Sequence, residues 1–246
     1  MITAHLAGRL GNQMFLYALV RTVAERGGYK FYLNPDEWLG GDLLICDLGV
    51  KDGEPTNFVI DEPDQRFQPE LLDSPDFTHF YGFFQTEKYF DRDKVKEWFK
   101  LEYPQEILDF LDKYPVSEYC YINVRGTDQA ADNRSYLILP PEYYKKAMDM
   151  MLVFNDRLKF VIITDDIPLA KFYFPDHDVY SNDRDTDFCL LNAARYVISG
   201  ISTFVWWATY LNDNNMVIAP RGWFASQKNA TEWMPKDIKT NKFIWI

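Results

Sequence analysis

Short apolar segments typical of buried strands alternate with helical segments along nearly the whole chain. In the second half, strand patterns at Tyr119–Val124, 158–163, Asp178–Tyr180 and Met216–Ala219 are separated by helical patterns. Strands that are joined by helices run parallel, since the crossover returns the chain to the same end of the sheet. The alternation therefore predicts an α/β fold built on parallel sheets.

A break in this alternation falls at Tyr114-Pro115, and the pattern restarts after it. A chain of 246 residues can form one large domain or two small ones. We predict an N-terminal Rossmann-like domain over residues 1–114 and a C-terminal one over 115–246, facing each other across a cleft.

Composition excludes several classes of function. The net charge of −11 argues against a broad basic surface for nucleic acid. Cys46, Cys120 and Cys189 are odd in number and lie in apolar surroundings, which favours free thiols over disulfides or a zinc site. Three scattered histidines make a histidine metal centre improbable. With no leader and no apolar run long enough to span a membrane, we predict a soluble, cytoplasmic protein.

A glycine-rich turn follows the first apolar run. Gly8 and Gly11 allow positive φ and close approach of the backbone, so the N–H groups of the turn can face an anion. This arrangement suggests a phosphate-bearing ligand near the start of the chain. The alternative is structural, because any strand-to-helix turn favours glycine.

Three strand ends in the second half carry polar clusters, and the first contains an arginine. Arg125 leaves its strand beside Gly126 and Asp128. The planar guanidinium suits the oxygens of a diphosphate, which it can bind through two hydrogen bonds. An Arg125–Asp128 pair that only fixes a loop is the other interpretation, and the spacing does not choose between them.

The second strand end carries two adjacent carboxylates, Asp165 and Asp166. They could bind a metal, contact a ribose or base edge, or cap the next helix, and capping suits Asp166 best. A metal site needs further converging ligands, and the sequence presents no such set.

Hydroxyl groups follow the third strand. Ser202 or Thr203 is expected to cap a helix whose positive end can hold a diphosphate. The next aromatic residues, Trp206 and Trp207, are more typical of a core than of ligand contacts. Together, the three strand ends predict a nucleotide-diphosphate site that needs no metal.

Taken in order, these segments resemble the inverting fucosyltransferases of glycosyltransferase family eleven. The resemblance rests on GRLGNQMF at residues 8–15, GFFQTEKYF at 82–90, STFVWWA at 202–208, with Asp187 ahead of it, and VIAPRGWF at 217–224. It implies a GT-B fold, GDP-L-fucose as donor, a glycan acceptor and an α-1,2 link. No cofactor is expected beyond the donor substrate.

The basic motif of that family is His-x-Arg-Arg-x-Asp, and residues 123–128 depart from it. Asn123 replaces the histidine and Gly126 the second arginine, whereas Arg125 and Asp128 are kept. The resemblance implies that Arg125 holds the β-phosphate and that Asn123 contacts the nucleotide. Another GDP-linked deoxyhexose remains open as donor.

Further roles follow from the resemblance and the strand ends together. Arg125 is the expected catalytic residue, and Asp128 is either the base or a group that orients Arg125. Acceptor contacts are expected mainly from the first half. The remaining donor contacts are expected from Gly11, Asn12, Asp165, Asp166, Ser202, Thr203 and Phe204. The alternatives are a binding protein without catalysis and a nicotinamide oxidoreductase, although residues 8–11 lack the third glycine of a dinucleotide fingerprint.

Overall fold

The computed structural model describes residues 1–126, 138–222 and 235–246. The chain divides into two compact units. Of the described residues, the first contains Met1–Glu102 and residues 235–240, and the second contains residues 103–126 and 138–222 with Asn241–Ile246. The division precedes the one predicted at residue 114, because the helix at Glu106–Lys113 buries Ile107 within the second unit.

The first unit is built on a parallel sheet and one long helix. Its elements are β1 (Ile2–Ala4), α1 (Leu10–Gly27), β2 (Phe31–Tyr32), β3 (Leu44–Ile45), β4 (Phe58–Asp61), a 3₁₀ turn (Pro69–Asp73), β5 (Thr78–Tyr81), a second 3₁₀ turn (Glu87–Tyr89), α2 (Arg92–Trp98) and β6 (Lys100–Leu101).

The strands of this sheet lie in the order β2-β1-β5-β4, all parallel, and β3 pairs with β6 in a separate antiparallel ribbon. From β1 the chain passes through α1 to β2 on one side, while β4 and β5 lie on the other. The strand order therefore reverses between β1 and β5. In open α/β sheets, ligands bind at such a switch point, beyond the carboxyl ends of the strands.

The second unit has a larger sheet with more helices. Its described elements are α3 (Glu106–Lys113), β7 (Tyr119–Val124), α4 (Pro141–Phe154), β8 (Lys159–Thr164), α5 (Ile167–Tyr173), β9 (Asp178–Tyr180), α6 (Arg184–Ala193), β10 (Tyr196–Ile198), α7 (Thr203–Tyr210), β11 (Met216–Ala219) and β12 (Phe243–Trp245).

Its six parallel strands lie in the order β12-β11-β10-β7-β8-β9. If the strands of this unit are numbered 1 to 6 in chain order and read from β9 to β12, they follow the doubly wound order 3-2-1-4-5-6. The switch point of this order lies between β7 and β10. The last strand, β12, pairs with β11 in register Ile218 to Ile244, so the end of the chain completes the sheet. The predicted parallel α/β fold is confirmed.

The core of the second unit is rich in large aromatic side chains. Trp206 and Trp207 are 1% and 0% exposed, which confirms their assignment to the core.

Cys120 and Cys189 are buried free thiols, and Cys46 is half-buried. Within the described ranges, no helix combines the length and the apolar character that a membrane span requires.

Candidate active site

The switch point of the second sheet carries Arg125, directly after β7. Its side chain is half-buried, and its Nη1 donates a hydrogen bond to Ser202 Oγ over 3.4 Å. The guanidinium is thus held at the junction of β7 and the segment that follows β10. Asp128 lies outside the described residues, so its relation to Arg125 stays a prediction.

Ser202 connects this guanidinium to a helix N-terminus. Its Oγ accepts a hydrogen bond from the backbone N–H of Phe204 over 3.2 Å and caps α7. Thr203, the first residue of the helix, and Phe204 are both half-buried. Phe204 is fixed by an edge-to-face contact with Phe188, with ring centroids 5.1 Å apart. The helix therefore directs its positive end toward the same switch point.

Asn123, the penultimate residue of β7, holds a buried polar atom without a partner. Its side chain is 8% exposed, and its Oδ1 has no hydrogen-bond partner among the described residues. A Cβ on Gly200 would lie 2.9 Å from the backbone oxygen of Asn123 and 3.2 Å from Oδ1, so glycine is needed at 200. An unsatisfied acceptor is costly in a folded protein and is typical of a site completed by a ligand.

The two neighbouring carboxylates after β8 have different roles. Asp165 is exposed, and its Oδ1 accepts a hydrogen bond from the backbone N–H of Gly126 over 2.8 Å. Asp166 Oδ1 accepts from the backbone N–H of Leu169 over 3.0 Å and caps α5. The capping interpretation of Asp166 is therefore confirmed. No group of three or more potential metal ligands occurs within the described ranges.

Gly126, which replaces the second arginine of the family motif, leaves no room for a side chain. A Cβ at this position would lie 2.6 Å from Asp166 Oδ2 and 2.8 Å from Leu169 Cδ2. Asp166, by capping α5, fills the space that a side chain at 126 would need. The departure from the motif thus fits the local packing, and Arg125 is the arginine that remains.

Sequence reasoning assigned no role to Asp187, which lies in α6. Burial raises the pKa of its carboxyl from 3.8 to about 7, although Asn182 Nδ2 donates to its Oδ1 over 2.8 Å. The negative charges of Asp183 and, to a smaller extent, Asp165 raise the pKa of Asp187 further. The sequence signal that could have pointed to Asp187 is an acidic residue among the apolar positions of a helix.

The glycine turn of the first unit has a well-defined internal structure. Gly8 has φ +78°, and a Cβ there would collide with the side chain of Asn12. Asn12 Oδ1 accepts a hydrogen bond from Gln85 Nε2 over 2.8 Å. Gly11 is buried in the first turn of α1. The turn is therefore joined to the loop after β5, and Gly11 and Asn12 belong to a different unit from Arg125.

A family model supplies the decisive comparison. The model for glycosyl transferase family 11 matches residues 65–246, which is most of the chain. The chain belongs to glycosyl transferase family 11. As a member of this family it is a glycosyltransferase, which confirms the resemblance found in the sequence motifs.

Two curated relatives and one solved structure show which other proteins this family 11 chain resembles. An alpha-1,2-colitosyltransferase from Escherichia coli is 25% identical over 92% of this chain and 93% of its own length. The O-antigen biosynthesis glycosyltransferase WbnK from Escherichia coli is 28% identical over 38% of this chain and 34% of its own length.

The solved structure is a family 9 glycosyl transferase from Veillonella parvula. It matches with a TM-score of 0.51 and 10% identity, over 99% of this chain and 84% of that one. At this identity the similarity concerns the fold. The family 11 chain has the GT-B fold class that its sequence predicts.

Proposed function

We propose that this glycosyltransferase transfers L-fucose from GDP-L-fucose to a hydroxyl of a glycan acceptor, with inversion and formation of an α-1,2 link. The second unit binds the donor and the first binds the acceptor. A different GDP-linked deoxyhexose is the second candidate donor. It is favoured by Asn123 in place of the motif histidine and by the similarity to a colitosyltransferase.

The observation that carries this proposal is Arg125 at the switch point, hydrogen-bonded to the serine that caps α7. A guanidinium beside a helix N-terminus combines a full positive charge with N–H groups that lack partners in the helix. These are the groups that a nucleoside diphosphate requires. They lie where ligands bind in doubly wound sheets.

The reaction breaks the bond between the anomeric carbon and the β-phosphate oxygen while the acceptor hydroxyl attacks from the opposite side. Negative charge grows on the β-phosphate as this bond lengthens. Arg125 stabilises that charge, together with the start of α7 at Ser202 and Thr203, because their positions are fixed before the reaction begins. Asp128 either accepts the acceptor proton or orients Arg125.

The other donor contacts extend from this centre. The amide of Asn123 contacts the nucleotide. Asp165 accepts hydrogen bonds from the guanine or ribose edge, and Asp166 fixes the segment after β8 by capping α5. Phe204 packs beside the ligand. The donor is held without metal or cofactor, and the protein acts in the cytoplasm.

A glycan-array transfer assay tests this function. The protein is supplied in turn with GDP-L-fucose, GDP-colitose, GDP-mannose or no donor, and products are identified by mass spectrometry and their linkage by NMR. We expect fucose transfer with an α-1,2 link. Transfer from GDP-colitose alone would select the second donor. Binding of GDP-L-fucose with neither transfer nor hydrolysis would support a binding protein without catalysis and overturn the proposal.

A further inference from the structure

The switch point of the first sheet is occupied by aromatic side chains. His5 immediately follows β1, and Tyr81 is the last residue of β5. The backbone N–H of His5 donates to the oxygen of Phe80 over 3.0 Å, which continues the parallel register beyond β1. His5 and Tyr81 therefore lie side by side where the strand order reverses, which is the favoured position for a ligand.

These two rings stack face to face, and we call the pair, whose exposed part is the Tyr81 ring, the aromatic platform. The ring centroids of His5 and Tyr81 are 4.8 Å apart, and their planes differ by 6°. Tyr81 is 49% exposed, so much of its ring is open to solvent despite the stack. A large aromatic side chain left exposed at the end of a parallel strand is unusual, since such strands are normally covered on both faces.

Polar groups with unused hydrogen-bonding capacity surround the aromatic platform. Asp61 pairs with Tyr81 and Val59 with His79 in the β4–β5 register, so Asp61 and His79 project from the same face. Within the part of the chain that the structure describes, the side chains of His5, His79, Tyr81 and Asp61 make no hydrogen bond or ion pair. Burial, and secondly the nearby His5, lower the pKa of His79, which keeps its imidazole neutral at pH 7.

We propose that the aromatic platform binds a pyranose ring of the glycan acceptor, with Asp61 accepting hydrogen bonds from its hydroxyl groups. The face of an aromatic ring is electronegative and attracts the polarised C–H bonds on the apolar face of a sugar. The hydroxyls at the rim of the sugar then need acceptors, which the carboxylate and the neutral imidazole supply. The carboxylate also disfavours a phosphate at this position.

This inference rests on the proposed function, because it names the acceptor site of the same reaction. It assigns acceptor recognition to the face of β1, β4 and β5 within the first unit. The donor site is assigned to different residues in the second unit. Substitutions in the aromatic platform should therefore change the acceptor constants and leave the donor constants unchanged.

The test is steady-state kinetics with Tyr81→Ala, Tyr81→Phe and Asp61→Asn, using the glycan that gives the strongest transfer on the array. We expect Tyr81→Ala to raise the acceptor KM about tenfold or more, since one stacking contact of this size is lost. Tyr81→Phe keeps the ring and should stay within about threefold. Asp61→Asn should raise the acceptor KM by an intermediate factor.

Hydrolysis of the nucleotide sugar without acceptor serves as the donor readout, and its rate should be equal in all variants. The matched control is Phe172→Ala, which removes an 80% exposed aromatic ring from α5 in the second unit. Thermal melting of each variant confirms folding. If the wild type transfers but Tyr81→Ala leaves the acceptor KM unchanged, the aromatic platform is not the acceptor site. If the wild type neither transfers nor hydrolyses the donor, the proposed function itself fails.

Discussion

The switch point of the second sheet is lined by a guanidinium, hydroxyls and carboxylates, whereas that of the first sheet is lined by aromatic rings. Both sheets are parallel, and both place their polar or aromatic groups at or directly after the carboxyl ends of neighbouring strands. The topology therefore creates two equivalent positions for ligands. The side chains at each position decide which ligand chemistry it suits.

The difference also appears in how the groups are held. Arg125 is joined to Ser202, and Asp165 to the backbone of Gly126, so the second switch point has a hydrogen-bonded framework. His5 and Tyr81 are joined by stacking alone among the contacts that the structure describes. A fixed framework suits the stabilisation of a developing phosphate charge, and an open ring suits a sugar.

The largest effect is expected from Arg125→Lys. The ammonium group of lysine cannot form two parallel hydrogen bonds to a phosphate, so kcat/KM should fall about 10²–10³-fold. The melting temperature should stay unchanged, because lysine keeps the positive charge at a position that is only half-buried. Turnover and melting of purified protein check both.

Arg157→Lys is the control for this substitution, since Arg157 is exposed in a turn of the same unit. Activity of Arg125→Lys within about twofold of the wild type, well below the loss expected for a preorganised donor, would remove Arg125 from the leaving-group role. The contrast in charge between the two switch points would then carry no functional meaning.

A smaller effect is expected from Asn123→Leu. Leucine has the same branched shape and number of side-chain heavy atoms and carries no buried acceptor, so folding stability should stay close to that of the wild type. The donor KM should rise about tenfold, because the amide can no longer bind the nucleotide. Differential scanning fluorimetry and donor titrations measure the two changes.

Tyr81→Ala is the comparison variant, and its donor KM should equal that of the wild type. An unchanged donor KM in Asn123→Leu would mean that the partnerless oxygen serves no ligand. The assignment of the donor to the second switch point would then rest on Arg125 and α7 alone.

The pH dependence of stability tests Asp187. Its pKa is raised to about 7 by burial, so between its ordinary value of 3.8 and 7 the folded protein binds more protons than the unfolded chain. Stability of the wild type therefore falls as pH rises through this window. Asp187→Asn should remove this loss, with a gain of roughly 1–3 kcal/mol at pH 8 that vanishes near pH 4.

Chemical denaturation at pH 4, 6 and 8 measures this gain. Asp156→Asn, an exposed carboxyl in a turn, is the control and should show no such trend. An equal gain at all three pH values would exclude titration of Asp187 as its cause.

The smallest expected effect is that of a chelator, which should leave the transfer rate unchanged at millimolar excess. In the proposed mechanism, Arg125 and the start of α7 supply the positive charge that a metal ion would otherwise provide at the diphosphate. Loss of activity in EDTA that added Mg²⁺ or Mn²⁺ restores would instead favour a metal site at Asp165 and Asp166. The rate with and without chelator decides between the two.

Much of the second unit could be predicted from the sequence because its strands are buried on both faces. Largely apolar runs such as Tyr119–Val124 are typical of parallel strands, and the polar residues at and after their ends mark the edge where ligands bind. The first unit was harder to predict. Its two-residue strands β3 and β6 are too short to show a pattern, and they form because they pair with each other.

The candidate site, too, could be predicted only in part from the sequence. Spacing alone placed Arg125 and Ser202 at strand ends, because chain order and local polarity determine that. The sequence also predicted that Asp166 caps the next helix, which is a local contact. It could not predict that Asp165 accepts a hydrogen bond from the backbone of Gly126, since only the packing of β7 beside β8 brings the two together. Asp187 had no assigned role because its unusual pKa comes from burial.

The sequence by itself determined the parallel α/β class, the family and the position of the arginine, since these depend on local pattern and motif order. Only the tertiary structure decided the strand orders, and with them the two switch points. The stacking of His5 on Tyr81 joins residues far apart in the chain, and only the pairing of β1 with β5 brings their rings together.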